Sequence, residues 1–155
     1  MLPFLRKNGL AIIGLVVVIA AYLFQASFLK GWLIDDAGIS FAYARNLAQG
    51  HGLVSQRGVS PVEGFSNPAW VFLLSIFSSS GLDIAEIVKP VSIVLTILSI
   101  VVLYLAFLRM LDSKVLALAV LAWLVAQPAF VVWSVSGLEN PLLVALVAVL
   151  IYLCL

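Results

Sequence analysis

Two adjacent carboxylates, Asp35 and Asp36, open a polar stretch that goes on to hold Arg45, His51, Arg57, Glu63 and Asn67. A helix N-terminus stabilises a carboxylate. Two carboxylates side by side repel each other, which leaves one ready to take a proton from a substrate hydroxyl. The plainer reading of Asp35 or Asp36 is an N-cap. Glu139 lies much further along the chain, and Lys89 stands at the start of a long apolar run. Carboxylates together with cations suit a reaction that joins an acceptor hydroxyl to a donor with a phosphate leaving group. The carboxylate takes the proton and a cation holds the phosphate. Taken singly, Arg45, Arg57, His51 and Lys89 are also ordinary solvated or snorkelling side chains. Scattered carboxylates can hold Ca²⁺ or Mg²⁺, but the adjacent aspartates lack a D-x-D spacing. A divalent cation is therefore compatible with the chain but not expected to be required, and no cofactor is expected. The single histidine leaves no defensible Ser-His-Asp set, and there is no zinc spacing or Gly-rich phosphate loop.

The elements that must position these residues are apolar. The chain has 155 residues, 65% hydrophobic and 10% charged, with a mean hydropathy of +1.24. A soluble domain carries about a quarter charged residues. These figures indicate an all-α integral membrane protein, since the apolar runs are long enough for helices rather than barrel strands. A net charge of +1 without a basic patch gives no reason to expect nucleic acid. Cys154 has no partner for an internal disulfide.

In chain order, residues 9–29 read as a first transmembrane helix. Arg6 and Lys7 place its N-terminus in the cytoplasm by the positive-inside rule. A signal peptide would have a shorter apolar core and small residues at its end, which Phe24 and Phe28 interrupt. Residues 30–86 then form a large outer loop. Within it, 36–49 is an amphipathic helix with an apolar stripe of Ile39, Tyr43 and Leu47, leaving Ser40 and Asn46 off the stripe. Residues 69–80 are too few to span comfortably and read as an interfacial or re-entrant helix. Residues 87–108 form the second span, and Arg109 and Lys114 return it to the cytoplasm. Residues 115–135 form the third, kinked at Gln127-Pro128, and 141–155 a fourth that is cut short. The abrupt apolar end reads as the front of something longer, or one piece of a split protein, with a partner chain supplying the missing helices.

Three motifs carry a resemblance. The run D-D-A-G-I-S-F-A-Y-A-R-N-L-A-Q-G-H-G-L-V from Asp35 is followed by P-V-E-G-F-S-N-P-A-W from Pro61 and S-G-L-E-N-P-L from Ser136. In this order and spacing the chain resembles the N-terminal part of bacterial GT-C fold glycosyltransferases. These are polyprenyl-phosphate-sugar-dependent membrane enzymes related to arabinofuranosyltransferases and protein O-mannosyltransferases. The resemblance implies a GT-C-like helical bundle with surface-lying helices in its first outer loop. It implies a catalytic aspartate at the place of Asp35 and Asp36, and a basic residue, matched by Lys89, that meets the lipid phosphate. Arg45 and His51 join Lys89 as candidate donor contacts; Glu63, Asn67, Glu139 and Tyr43 are candidate acceptor or substrate contacts. Gly38 stands where a large side chain is usual, and Ala42 where an arginine is common. Such enzymes also carry many more helices than this chain.

The expected function is inverting transfer of a sugar from a polyprenyl-phosphate donor to a glycan, lipid or protein hydroxyl, on the outer face of a bacterial inner membrane. Asp35, nearest the first helix, is the expected base and Asp36 the expected cap. The rival is a truncated, non-catalytic GT-C-like subunit or scaffold. A transporter fits less well, because the ionisable residues gather in one loop and not at the bilayer midplane.

Overall fold

The computed structural model describes the backbone from Leu2 and the side chains from Gly9 to Leu155. Arg6 and Lys7, on which the cytoplasmic N-terminus rests, lie outside the described side chains. Among the described residues there are seven α-helices and no strand. They are α1 (Leu2–Ser27), α2 (Ala37–Ala48), α3 (Pro68–Ser79), α4 (Ile84–Leu111), α5 (Lys114–Val125), α6 (Pro128–Ser134) and α7 (Asn140–Cys154).

Among the described residues, two single helices are long and apolar enough to cross a membrane: the Gly9–Ser27 part of α1, and α4. With no water in hydrocarbon, a span must satisfy its own backbone groups, which a continuous helix does. At 28 residues α4 is about 42 Å long, enough for ~30 Å of hydrocarbon with some tilt. Its start is fixed by Asp83, whose carboxylate accepts from the Ala85 N–H at 2.9 Å. Its end is Asp112 in the left-handed region, φ 46°. Residues 115–135 divide at the Gln127-Pro128 kink that the sequence suggests, and the two halves together are long and apolar enough for one broken span or a re-entrant loop. They break into α5 and α6, bent by 70°. Pro128 has no N–H to give and forces Gln127 into an extended conformation, ψ 117°. α7 has 15 residues, about 22 Å, and is shorter than a full crossing.

Two cores follow from this division. One joins α1, α4, α5, α6 and α7 around Tyr22, Ile100, Leu121, Val125 and Ala148. The other joins α2 and α3 to the start of α4 around Trp70, Val71, Leu74, Ile84 and Val88. α4 belongs to both and couples the long helices to the short ones.

The buried face of α2 keeps Tyr43 of the stripe read in the sequence, with Leu47 half-buried, but leaves Ile39 47% exposed. Beside Tyr43 it holds Ala37, Ser40, Phe41 and Ala44, spaced i, i+3, i+4, i+7 and turned toward α3 and the neighbouring turn after α6. Small residues there let the helices approach closely. Ser40 and Asn46, 3% and 8% exposed, tolerate burial because each is hydrogen-bonded: Ser40 to Asn67, and Asn46 to the carbonyls of Val54 and Ser55.

Candidate active site

The turn between α6 and α7, residues 135–139, is held by three hydrogen bonds from two separate parts of the chain. The Ile34 N–H donates to the Ser136 carbonyl at 3.0 Å. The buried Trp70 indole N–H donates to the Gly137 carbonyl at 3.0 Å. The Asn67 amide Nδ2 donates to Glu139 Oε2 at 2.7 Å. Asn67 stands just before α3, whose first residue is Pro68, a ring with no N–H to leave unsatisfied. Its second amide hydrogen reaches Ser40 Oγ at 3.0 Å. An amide anchored at both ends presents a fixed donor, and it orients the Glu139 carboxylate.

Asp35 and Asp36 occupy a turn ahead of α2. Neither acts as the expected cap. The N–H groups of Ala37, Gly38 and Ile39 already donate to the carbonyls of Ile34, Asp35 and Asp36 at 3.1, 2.9 and 3.1 Å. Asp36 is itself in the helical region, φ −60°, ψ −25°, and its side chain makes no cap bond. A cap needs an extended backbone to swing its oxygen back over the first turn. Both carboxylates are therefore exposed, and they differ in what they face. Asp36 lines a cavity of about 310 Å³ together with Ser40, Ser66, Asn67, Leu138 and Glu139. Asp35 does not line it. Asp36 is thus not the cap that the sequence suggests, and of the two carboxylates it is the one that faces this cavity.

Two further cavities share walls with this one. Leu138 and Glu139 also line a cavity of about 490 Å³ between α4, α6 and α7. Phe65 and Ser66 also line a cavity of about 550 Å³ that holds Glu63, Pro61 and Pro68. Glu63 is thus one cavity removed from Asp36. Tyr43, expected to contact substrate, serves the loop instead. It is 2% exposed, its hydroxyl donates to the Val62 carbonyl at 2.7 Å, and its ring packs on Phe65 at 4.6 Å.

The three candidate donor contacts are not brought together. Lys89 lines a separate cavity of about 590 Å³ with Lys30 and Glu86, and its ammonium donates to the Leu29 carbonyl past the end of α1. Leu33 and Val135 face this cavity, whereas Asp36 and Glu139 face the carboxylate cavity. The Ile34–Ser136 crossing lies between the two. Arg45 is exposed in the last turn of α2, nine residues and so roughly 13 Å beyond Asp36. His51 is exposed in the turn that follows. Neither lines any of these four cavities. Arg57 is bonded to Gln49 Oε1.

Sequence reasoning missed Ser40 and Lys30. Ser40 lies four residues after Asp36, hence on the same helix face, and that spacing is the signal that marks it. Lys30 carried no comparable signal, because its cavity depends on how α4 approaches the end of α1.

An ionised carboxylate only accepts hydrogen bonds. Glu139, fixed by an amide, and Asp36, held by no cap bond, can together receive a hydroxyl and take its proton. Among the described residues, no three of His, Cys, Asp and Glu stand close enough to hold a metal ion. Comparison of the chain with protein-family models, with curated proteins and with solved structures returned no match.

Proposed function

We propose that this chain carries the acceptor-activating part of a membrane glycosyltransferase of GT-C type. One observation carries the reading. A carboxylate free of helix capping, Asp36, shares a cavity with one oriented by an amide, Glu139, beside helices apolar enough to span a bilayer. The motif resemblance supports the same class. The donor is a polyprenyl-phosphate sugar, and the setting is the outer face of a bacterial inner membrane.

In the proposed step the acceptor oxygen bonds to the anomeric carbon as the bond from that carbon to the donor phosphate breaks. The electron pair leaves on the phosphate and the acceptor proton passes to Asp36. Attack from the side opposite the leaving group inverts the sugar. Glu139 accepts a hydrogen bond from the acceptor and fixes its orientation, which is where much of the gain from positioning arises.

The test is turnover of a polyprenyl-phosphate sugar by the chain in membranes, with any further helices or partner chain supplied. Asp36→Asn keeps shape and should lose the roughly 10²–10⁴-fold typical of general base catalysis. Asp35→Asn should retain most of its rate. The reverse pattern would move the base to Asp35, and full turnover in both variants would remove the enzyme reading for this cavity.

A second reading is a non-catalytic GT-C-like membrane subunit. The location of Lys89 favours it, since that cation stands in a different cavity from the carboxylates. Turnover that appears with a partner chain but ignores Asp36→Asn would support this reading.

A further inference from the structure

Glu139 stands in the wall of two cavities at once, and the second has its own character. It lies between α6 and the α4–α7 pair, where the 70° break turns α6 off the line of α5. Its wall is apolar along Phe130, Trp133 and Val144. Thr96, also in the wall, is twelve residues into α4 and so about 18 Å from its start. The hollow therefore runs beside the apolar middle of a candidate span and closes at a carboxylate. Its two hydroxyls are already bonded: Thr96 Oγ1 donates to the Ser92 carbonyl at 2.8 Å, and Ser134 Oγ donates to the Val131 carbonyl at 2.8 Å and stands 3.1 Å from the Tyr22 hydroxyl, while the Asn140 amide adds an uncharged polar group to the wall. The volume of about 490 Å³ falls within the roughly 300–1,000 Å³ usual for small-molecule sites.

Charge selects the head group. The hollow, the carboxylate pocket and the Glu63 cavity together offer Asp36, Glu139 and Glu63, and no lysine, arginine or histidine lines any of them. An acceptor with an anionic head between Asp36 and Glu139 would meet repulsion from both, whereas the donor phosphate leaves on the far side of the anomeric carbon. An uncharged hydroxyl would find acceptors. Lys30 and Lys89 gather elsewhere, across the Ile34–Ser136 crossing.

Resting on the transfer reading above, we infer that the acceptor is an uncharged amphiphile carried in the membrane, its chain lying in the α4–α6–α7 hollow and its hydroxyl meeting Asp36 and Glu139. A soluble sugar or a peptide would leave the apolar hollow without a role, and a phosphate-headed lipid would oppose the carboxylates.

The experiment uses the full chain in phosphatidylcholine vesicles with two probes. One is a diacylglycerol with a diazirine in its acyl chain, and the other is the phosphatidic acid with the same chains. The diacylglycerol should label peptides from 129–144 saturably, and the phosphatidic acid should do so about tenfold less. Val144→Trp, which fills the hollow, should remove the diacylglycerol labelling. Glu139→Gln keeps an acceptor for Asn67 but drops a charge, and should raise labelling by the anionic probe. A general packing defect would not produce that change of selectivity. Equal labelling by both probes would mean annular lipid contact only and overturn the proposal. So would diacylglycerol labelling confined to the lysine cavity. Loss of selective labelling with turnover still dependent on Asp36 would overturn the amphiphile and leave the transfer reading standing. Selective labelling with turnover indifferent to Asp36→Asn would overturn the transfer, and the acceptor role with it.

Discussion

Asn67 is the residue on which the carboxylate pocket turns, because one amide serves both Ser40 and Glu139. Asn67→Asp replaces a donor by an acceptor and sets two carboxylates against each other. Losing a hydrogen bond to a charged group costs about 1.5–3 kcal/mol, and the new repulsion adds to it. The apparent melting temperature in detergent, followed by helical circular dichroism, should fall clearly further for Asn67→Asp than for Asn67→Ala. Equal losses would mean that the amide has no electrostatic role. Lys89 gives a contrasting case. Its ammonium ties the end of α1 to α4, so Lys89→Ala should lower stability by about 1 kcal/mol, discounted for its partial exposure. Binding of a polyprenyl phosphate that survived in Lys89→Ala, measured by isothermal titration, would mark Lys89 as structural. Much of this pocket could be read in advance: Asp36, Asn67 and Glu139 were all singled out by type and motif. What could not be read was how each side chain is used. Tyr43 looked available until its hydroxyl was found on Val62. Asp36 looked like a cap until the carbonyls of residues 34–36 were seen to take the first N–H groups of α2. Both outcomes depend on backbone angles that sequence spacing does not specify.

Among the elements, the turn from Val135 to Glu139 is closely constrained at Gly137. Gly137 is at φ 94°, and a β-carbon there would meet Ala37 Cβ at 2.9 Å and Leu33 Cδ2 at 3.0 Å. Gly137→Ala therefore combines backbone strain with a clash against the first turn of α2. It should cost on the order of 1–3 kcal/mol and shift Glu139 away from Asn67. Trp70→Phe keeps the ring in its buried site but leaves the Gly137 carbonyl without its partner, for a loss of about 1–3 kcal/mol. Thermal unfolding reads both, and a stability unchanged in Gly137→Ala would contradict the close approach described here. The helices themselves were largely legible. The polar residues and prolines mark α2, α3, α4 and α7 to within a few positions, because Pro at a first turn and Gly after a last one have fixed conformational meanings. The break of α5 from α6 was legible as a kink but not as a 70° turn, since the size of a bend depends on what packs against each half. The buried face of α2 was legible at Tyr43 but not at Ile39, for a related reason. Its phase is set by close approach to α3 and the turn after α6, which favours Ala37 and Ala44 over the bulkier Ile39.

For the molecule as a whole, the remaining question is which side each loop faces. The topology we propose from the positive-inside rule has the α4–α5 connection, with Arg109 and Lys114, on the cytoplasmic side and the segment 30–83 outside. In a Cys154→Ala background, Ser60→Cys should react with an impermeant thiol reagent from outside, and Met110→Cys should react only after the membrane is opened. Both native side chains are exposed, and neither holds a helix cap. Reaction of position 110 from outside would mean that α3 crosses the bilayer. The pinned turn has one more consequence, in the order of synthesis. Asn67 and Glu139 are 72 residues apart, and a ribosome adds roughly 5–20 residues per second. For about 4–14 seconds, then, a nascent chain carries an Asn67 amide with no Glu139 carboxylate to hold. The pocket closes only when the turn after α6 has emerged and docked under Trp70, so its completion reports that the first six helices are already in place.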